Sequence, residues 1–246
     1  MPQNRRRFLQ HLTASGLAIT ALPSALSAAE SHALASESSE LEASARFPEL
    51  NELRAQEPQP KIEFDTTWTQ KLTGKYRAVF DTPSINDGSG VWRAGTWAVH
   101  YKDVLKAEPT DINSVIVIRH MGIPLIMNHE FWDVYNIGKE NKVNDPMTNK
   151  RARRNPVLMT TEEDKLPASF AVLGLHKQIE RGVVVLGCNA AFGGMVAMVA
   201  KKEKLKFPEA RVRALTMVVP GVILQPNGIF GVTLAQQHGC VFVSAS

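Results

Sequence analysis

Gly182-Val183-Val184-Val185-Leu186-Gly187-Cys188-Asn189-Ala190-Ala191-Phe192-Gly193-Gly194 contains four successive apolar residues, three of them β-branched, bounded by glycines. Such a run reads as a short strand buried on both faces. Residues 190–202 then carry apolar side chains at helical spacing, so Cys188 falls on a strand-to-helix turn with Asn189 as the expected N-cap. In an open α/β sheet, that turn lies on the ligand-binding edge. A thiol near a helix N-terminus feels the positive end of the dipole, which favours the nucleophilic thiolate. Free cysteines are also commonly inert and buried. Both readings of Cys188 stand at this point.

Working upstream, Tyr76-Arg77-Ala78-Val79-Phe80 reads as a first strand, closed by Asp81-Thr82-Pro83. Asn86-Asp87-Gly88-Ser89-Gly90 follows; its glycines allow an anion-facing loop, but the spacing is not the dinucleotide fingerprint and an ordinary turn is expected. A helix is expected over residues 91–106, with Trp92, Trp97, Tyr101 and Leu105 as its core stripe. The second strand, Ser114-Val115-Ile116-Val117-Ile118, delivers Arg119 and His120 to the same edge as Cys188. Gly122 and Pro124 then open a helix that buries Leu125, Met127, Phe131 and Trp132.

Residues 138–167 interrupt this alternation with a mostly polar insertion, read as a lid, an oligomer contact or a surface loop. Its cluster Lys150-Arg151-Ala152-Arg153-Arg154 suits a solvated face or an anionic partner. Ser169 is the expected cap of a helix over 170–181, ended by Gly182. After the central turn, Leu215-Thr216-Met217-Val218-Val219 is the expected fourth strand, with residues 220–227 as its loop and a helix over 228–238. Gly239 ends that helix, and Cys240-Val241-Phe242-Val243 is the fifth strand. Five strands alternating with helices predict a three-layer α/β/α fold around a mainly parallel five-stranded sheet. Cys188 and Cys240 then sit at opposite strand ends, roughly 15 Å apart over five residues of strand, too far for a disulfide.

The 246 residues, 44% hydrophobic and 21% charged, suit one globular domain with a tail. The net charge of +4 includes Arg5, Arg6 and Arg7, so nothing in the balance argues for nucleic acid. Asn4-Arg5-Arg6-Arg7-Phe8-Leu9-Gln10 resembles the twin-arginine export signal. The apolar stretch after it ends in Ser27-Ala28-Ala29, so residues 1–29 read as a cleaved leader, leaving no stable membrane insertion. The resemblance implies a periplasmic protein that crosses already folded. Residues 30–74 read as a tether and N-terminal extension, with the domain over 75–246.

In this order the chain resembles the DsrE/DsrF-like family of sulfur-relay proteins. The likeness rests on residues 115–122, on the strand and turn of 183–189, and on residues 218–222 together with 234–242. It implies that Cys188 carries sulfane sulfur as a persulfide and that the subunits form a trimer or hexamer. Beside it, His120 at the same edge either assists the thiol or hydrogen-bonds its loop, Gly122, Asn128 and Asn189 are the ligand-binding candidates, and no cofactor is expected. The leader, tether and insertion set the chain apart from the family's short cytoplasmic carriers. A small-ligand binding module with the same fold, and a metal site using Cys188, His120 and His100 or His129, therefore remain as alternatives. Gly-x-Ser-x-Gly, Cys-x-x-Cys, a phosphate loop ending in Gly-Lys-Ser/Thr and His-Glu-x-x-His are all missing.

Overall fold

The computed structural model describes residues 62–246; the leader expected at 1–29 and most of the expected tether lie outside the described residues. Five strands, β1 (Tyr76–Thr82), β2 (Ile112–Ile118), β3 (Val184–Cys188), β4 (Val222–Gln225) and β5 (Val241–Ser244), form one sheet in the order β4-β3-β2-β1-β5. Every pairing is parallel.

The continuous apolar runs have a simple cause, since alternate residues of the same strand enter two different cores. Ala78, Phe80, Ile116, Ile118 and Val185 face one layer, while Val79, Val115, Val117, Val184 and Leu186 face the other. The first layer holds α1 (Ser89–Leu105), α2 (His129–Val134), α3 (Leu175–Glu180), α4 (Asn189–Glu203) and α5 (Phe207–Leu215), through residues such as Val91, Trp132, Leu175, Phe192 and Ala210. This follows from topology. The chain steps from β1 to β4 in one direction, and right-handed crossovers in one direction place their helices on one face. The return from β4 to β5 runs the other way, so α6 (Gly228–Gln237) covers the opposite face with Val232 and Ala235. Trp68 and Leu72, which precede Lys75, complete that second core. Among the described residues no helix is long and apolar enough to cross a membrane.

Several expected elements are placed differently. The fourth strand is not 215–219: Leu215 ends α5, and Val218 makes only an isolated antiparallel bridge to Met127. Gly221, at φ +88°, turns the chain into the true β4. The expected helix from Gly122 is instead a 3-10 segment, His120–Ile126, and α2 begins only at His129. Pro124 has no N–H for an α-helical ladder. The Leu125 and Met127 carbonyls are drawn off by the buried Asn155 amide, which donates to them at 2.8 and 2.7 Å. The expected helix 170–181 is split at Gly174 into a single turn, Ala168–Ala171, and α3, so Ser169 lies within a turn and caps nothing. Leu105 is 53% exposed and leaves the α1 stripe, whereas Trp97 packs edge-on against Phe80.

The insertion 138–167 is fastened to the first layer. Arg153 pairs with Asp133, Arg154 with Glu163 and Asp164, and Arg151 donates to the Lys142 carbonyl. Its basic cluster is thus largely engaged within the protein.

Candidate functional site

Strand register assembles the site. Ile118 pairs with Gly187, which brings Arg119 level with Cys188, and Cys188 pairs directly with Gln225. All lie at the carboxyl edge of the sheet.

Cys188 is both the last residue of β3 and the N-cap of α4, a role expected of Asn189; its Sγ accepts the Ala191 N–H at 3.4 Å. The residue is 6% exposed and packs with the first core. Asn189 is the first helical residue, and its Oδ1 accepts from Arg211 Nη2 at 2.7 Å. The Arg211 guanidinium also lies over the Phe192 ring, 5.5 Å from its centroid, so α5 braces the first turn of α4.

Arg119 grips Asp81 with a two-pronged contact, Nε to Oδ1 at 2.7 Å and Nη2 to Oδ2 at 2.8 Å. The Asp81 hydrogen bond raises the Arg119 pKa, outweighing burial, and the charges of Asp81 and Cys188 add to it. A permanent cation therefore stands within electrostatic reach of the Cys188 sulfur. Gly228 opens α6 over this pair: a Cβ there would lie 2.4 Å from Arg119 Cβ and 2.5 Å from its Cδ. Only glycine lets this helix N-terminus close on the arginine stem. Two helix N-termini, each partially positive, consequently flank the Arg119–Cys188 edge.

His120 follows Arg119 at the same edge in a left-handed conformation, φ 50°, with an exposed side chain that makes no hydrogen bond or ion pair among the described residues. Gly122 is engaged in loop closure. Its N–H is shared by the Pro83 and Arg119 carbonyls, both at 2.9 Å, and an added Cβ would meet the Thr82 carbonyl oxygen at 2.5 Å. Asn128 caps α2, accepting the Phe131 N–H through Oδ1 at 2.9 Å. The structure thus gathers Cys188, Asn189 and His120, holds Gly122 in the adjoining loop, and engages the Asn128 side-chain oxygen in a cap.

Sequence reasoning missed the roles of Asp81, Arg119, Arg211 and Gln225. The available signal was that Asp81 and Arg119 end two runs buried on both faces, where a charge requires a partner. Gln225 is fully buried; its Nε2 donates to the Asp65 carbonyl at 2.7 Å, while its Oε1 has no partner.

The other thiol differs. Cys240 precedes β5, and burial pushes it up to about 11, with Arg77 partly offsetting. By register it lies three strands across from Cys188 and six residue levels lower, roughly 25 Å away at ~3.3 Å per residue and ~4.8 Å per strand. Both cysteines are free. Among the described residues no group of three or more His, Cys, Asp or Glu is placed to hold a metal ion. No family model, curated protein or solved structure matches the chain.

Proposed function

We propose that this is a DsrE-like sulfane-sulfur carrier, exported to the periplasm through its leader and working as a homo-oligomer, in which Cys188 holds sulfur as a persulfide. The carrying observation is the seat of Cys188 Sγ, which caps α4 through the Ala191 N–H beside the Asp81-anchored Arg119. An anionic sulfur needs such a place before and after loading, since thiolate and persulfide both bear one negative charge. In the loading step the Cys188 thiolate attacks a terminal sulfur of a polysulfide dianion. A new S–S bond forms, the neighbouring S–S bond breaks, and its electron pair leaves with a dianion one sulfur shorter. His120, exposed at the same edge, takes up the thiol proton before attack.

At 6% exposure Cys188 admits a small inorganic donor far more readily than a protein partner. That same burial, among apolar neighbours, favours a second reading, a non-covalent small-ligand module in which Cys188 is part of the wall.

Mass spectrometry after incubation with polysulfide near neutral pH separates the two. The carrier gains mass in units of one sulfur in wild type and Cys240→Ser, but not in Cys188→Ser. Sulfur gain by Cys188→Ser, or none in folded wild type, sinks the carrier and leaves the binding module.

A further inference from the structure

One loop away from Cys188, the β1–α1 connection and the first part of the insertion border an open concavity of about 310 Å3, with Asp87, Met121 and Lys142 exposed at its rim. Its apolar lining comes from Ile85, Met121 and Val143, and its charged groups are Asp87 and Lys142. We propose that this concavity binds a small zwitterion, an α-amino acid with an apolar side chain, Asp87 taking the ammonium and Lys142 the carboxylate.

Charge gives the first reason. One anion and one cation from chain segments 55 positions apart line the same space, yet neither side chain is paired with another group among the described residues. In a second concavity, by contrast, opposite charges do meet. The concavity of about 500 Å3 around His129, Glu130, Asp133, Arg153 and Arg154 has Arg153 on Asp133, Glu130 on Arg213, and Arg154 on Glu163 and Asp164. A ligand bearing both signs satisfies Asp87 and Lys142 together.

Size gives the second reason. Ligand sites run from about 300 to 1,000 Å3, so this concavity is at the small end and suits a small metabolite. Asp87 also opposes a phosphate, and two donors of the loop are already engaged: the Gly88 N–H is held by the Ile85 carbonyl at 2.7 Å and Asn86 Nδ2 donates to Ser89 Oγ at 2.9 Å.

The walls are held in place in advance, which reduces the ordering cost of binding. Val143 exchanges backbone hydrogen bonds with Gly138 and Ala152, at 2.9 and 3.0 Å, and Arg151 fixes the Lys142 carbonyl at 2.8 Å. Ile85 and Val143 are 5% and 4% exposed, so the floor of the concavity is part of the core, while Met121 at 47% exposure stands at its rim. The location is the carboxyl edge of a parallel sheet, where open α/β folds bind ligands.

Asp87 and Lys142 both hold left-handed backbone, φ 51° and 58°, a conformation asparagine tolerates. Asp87→Asn and Lys142→Asn therefore remove one charge each and keep the loop. Isothermal titration of the full-chain protein with L-leucine, L-methionine and L-valine is the test, with 3-methylbutylamine and 4-methylpentanoate as single-charge analogues of leucine. Wild type binds at least one amino acid, the analogues bind about tenfold more weakly, and each variant loses about tenfold for the amino acid. Asp87→Asn leaves 4-methylpentanoate binding unchanged, and Lys142→Asn leaves 3-methylbutylamine binding unchanged. No amino acid bound up to about 10 mM, or variants that bind like wild type, overturns the proposal. Cys188→Ser binds as wild type does, so the result is independent of the persulfide reading.

Discussion

Replacing Gly228 by alanine adds a single methyl group where the structure has no room for it. Its carbon would sit 2.4 Å from Arg119 Cβ, 2.5 Å from Cδ and 2.9 Å from Cγ, and Cβ is the least movable part of that side chain. Either α6 lifts from the sheet or the arginine stem swings aside and its contact with Asp81 breaks. Overpacking of this kind costs about 1–3 kcal/mol. Hydrogen bonds to charged groups contribute about 1.5–3 kcal/mol, and this contribution is discounted here because the Arg119 side chain is 29% exposed. Alanine returns up to ~1 kcal/mol of backbone entropy relative to glycine. The net expectation is a loss of roughly 2–3 kcal/mol, a fall of about 1 M in the urea midpoint at an m-value of ~2–3 kcal/mol/M. A double-mutant cycle locates the effect. If the cost passes through the ion pair, Gly228→Ala is less damaging in an Asp81→Ala background than in wild type, by more than ~0.5 kcal/mol. Strictly additive costs mean that α6 lifts and the ion pair survives, whereas an unchanged midpoint refutes the account of Gly228 as the residue that lets α6 close on Arg119.

Three further outcomes are expected. Burial, reinforced by the positive charge of Arg154, lowers the pKa of His129, and burial reinforced by the charge of Lys177 lowers that of His176. The unfolded chain thus binds more protons just below the ordinary histidine value of about 6.5; stability is fully present above it and is lost as pH falls below it through the lowered folded-state values, and urea midpoints that stay flat across that fall contradict this. Asn155→Ala leaves the buried Leu125 and Met127 carbonyls without their donor and costs about 2–4 kcal/mol, with earlier proteolysis inside 138–167 as its local signature; wild-type cleavage kinetics argue against that anchoring role. Cys240, its thiol near 11, resists alkylation by iodoacetamide in the folded protein at pH 8, and rapid labelling there denies its burial.

Legibility from sequence followed burial. β1, β2 and β3 each end in at least five consecutive buried residues, so their apolar runs are unmistakable. β4 is an edge strand with three half-buried residues, and the equally apolar 215–219 just before it carries the stronger pattern. What separates them is α5, whose buried face is only Ala210 and Ala214 with Phe207 half-buried, too faint a stripe to have been recognised. The 3-10 passage through 120–126 was hidden because its cause, the Asn155 amide, lies some thirty positions downstream. The Cys188 turn was readable from the strand-to-helix change, although the sulfur itself, rather than the Asn189 side chain, supplies the cap. The Asp81–Arg119 contact was not, because it requires knowing that β1 and β2 are neighbours and that α6 closes over them.

Strand order also has a consequence in time. β1 is an interior strand, yet the neighbour on one of its sides is β5, about 160 positions further along. The same distant segment ties down the site's edge: Ala245 donates to the Asp81 carbonyl at 2.9 Å, its own carbonyl accepts from Arg93, and Ser246 Oγ accepts the Ser84 N–H at 3.2 Å. Loop-closure entropy must be overcome before such remote pairings form, so β1, the first of these five strands to be made, waits for β5 to complete its hydrogen bonding. Until then Asp81 and the cavity loop lack one of their supports. A nascent or C-terminally trimmed chain can hold β2 and β3 together and still carry an unfinished edge, so full formation of the site reports that the last strand has docked.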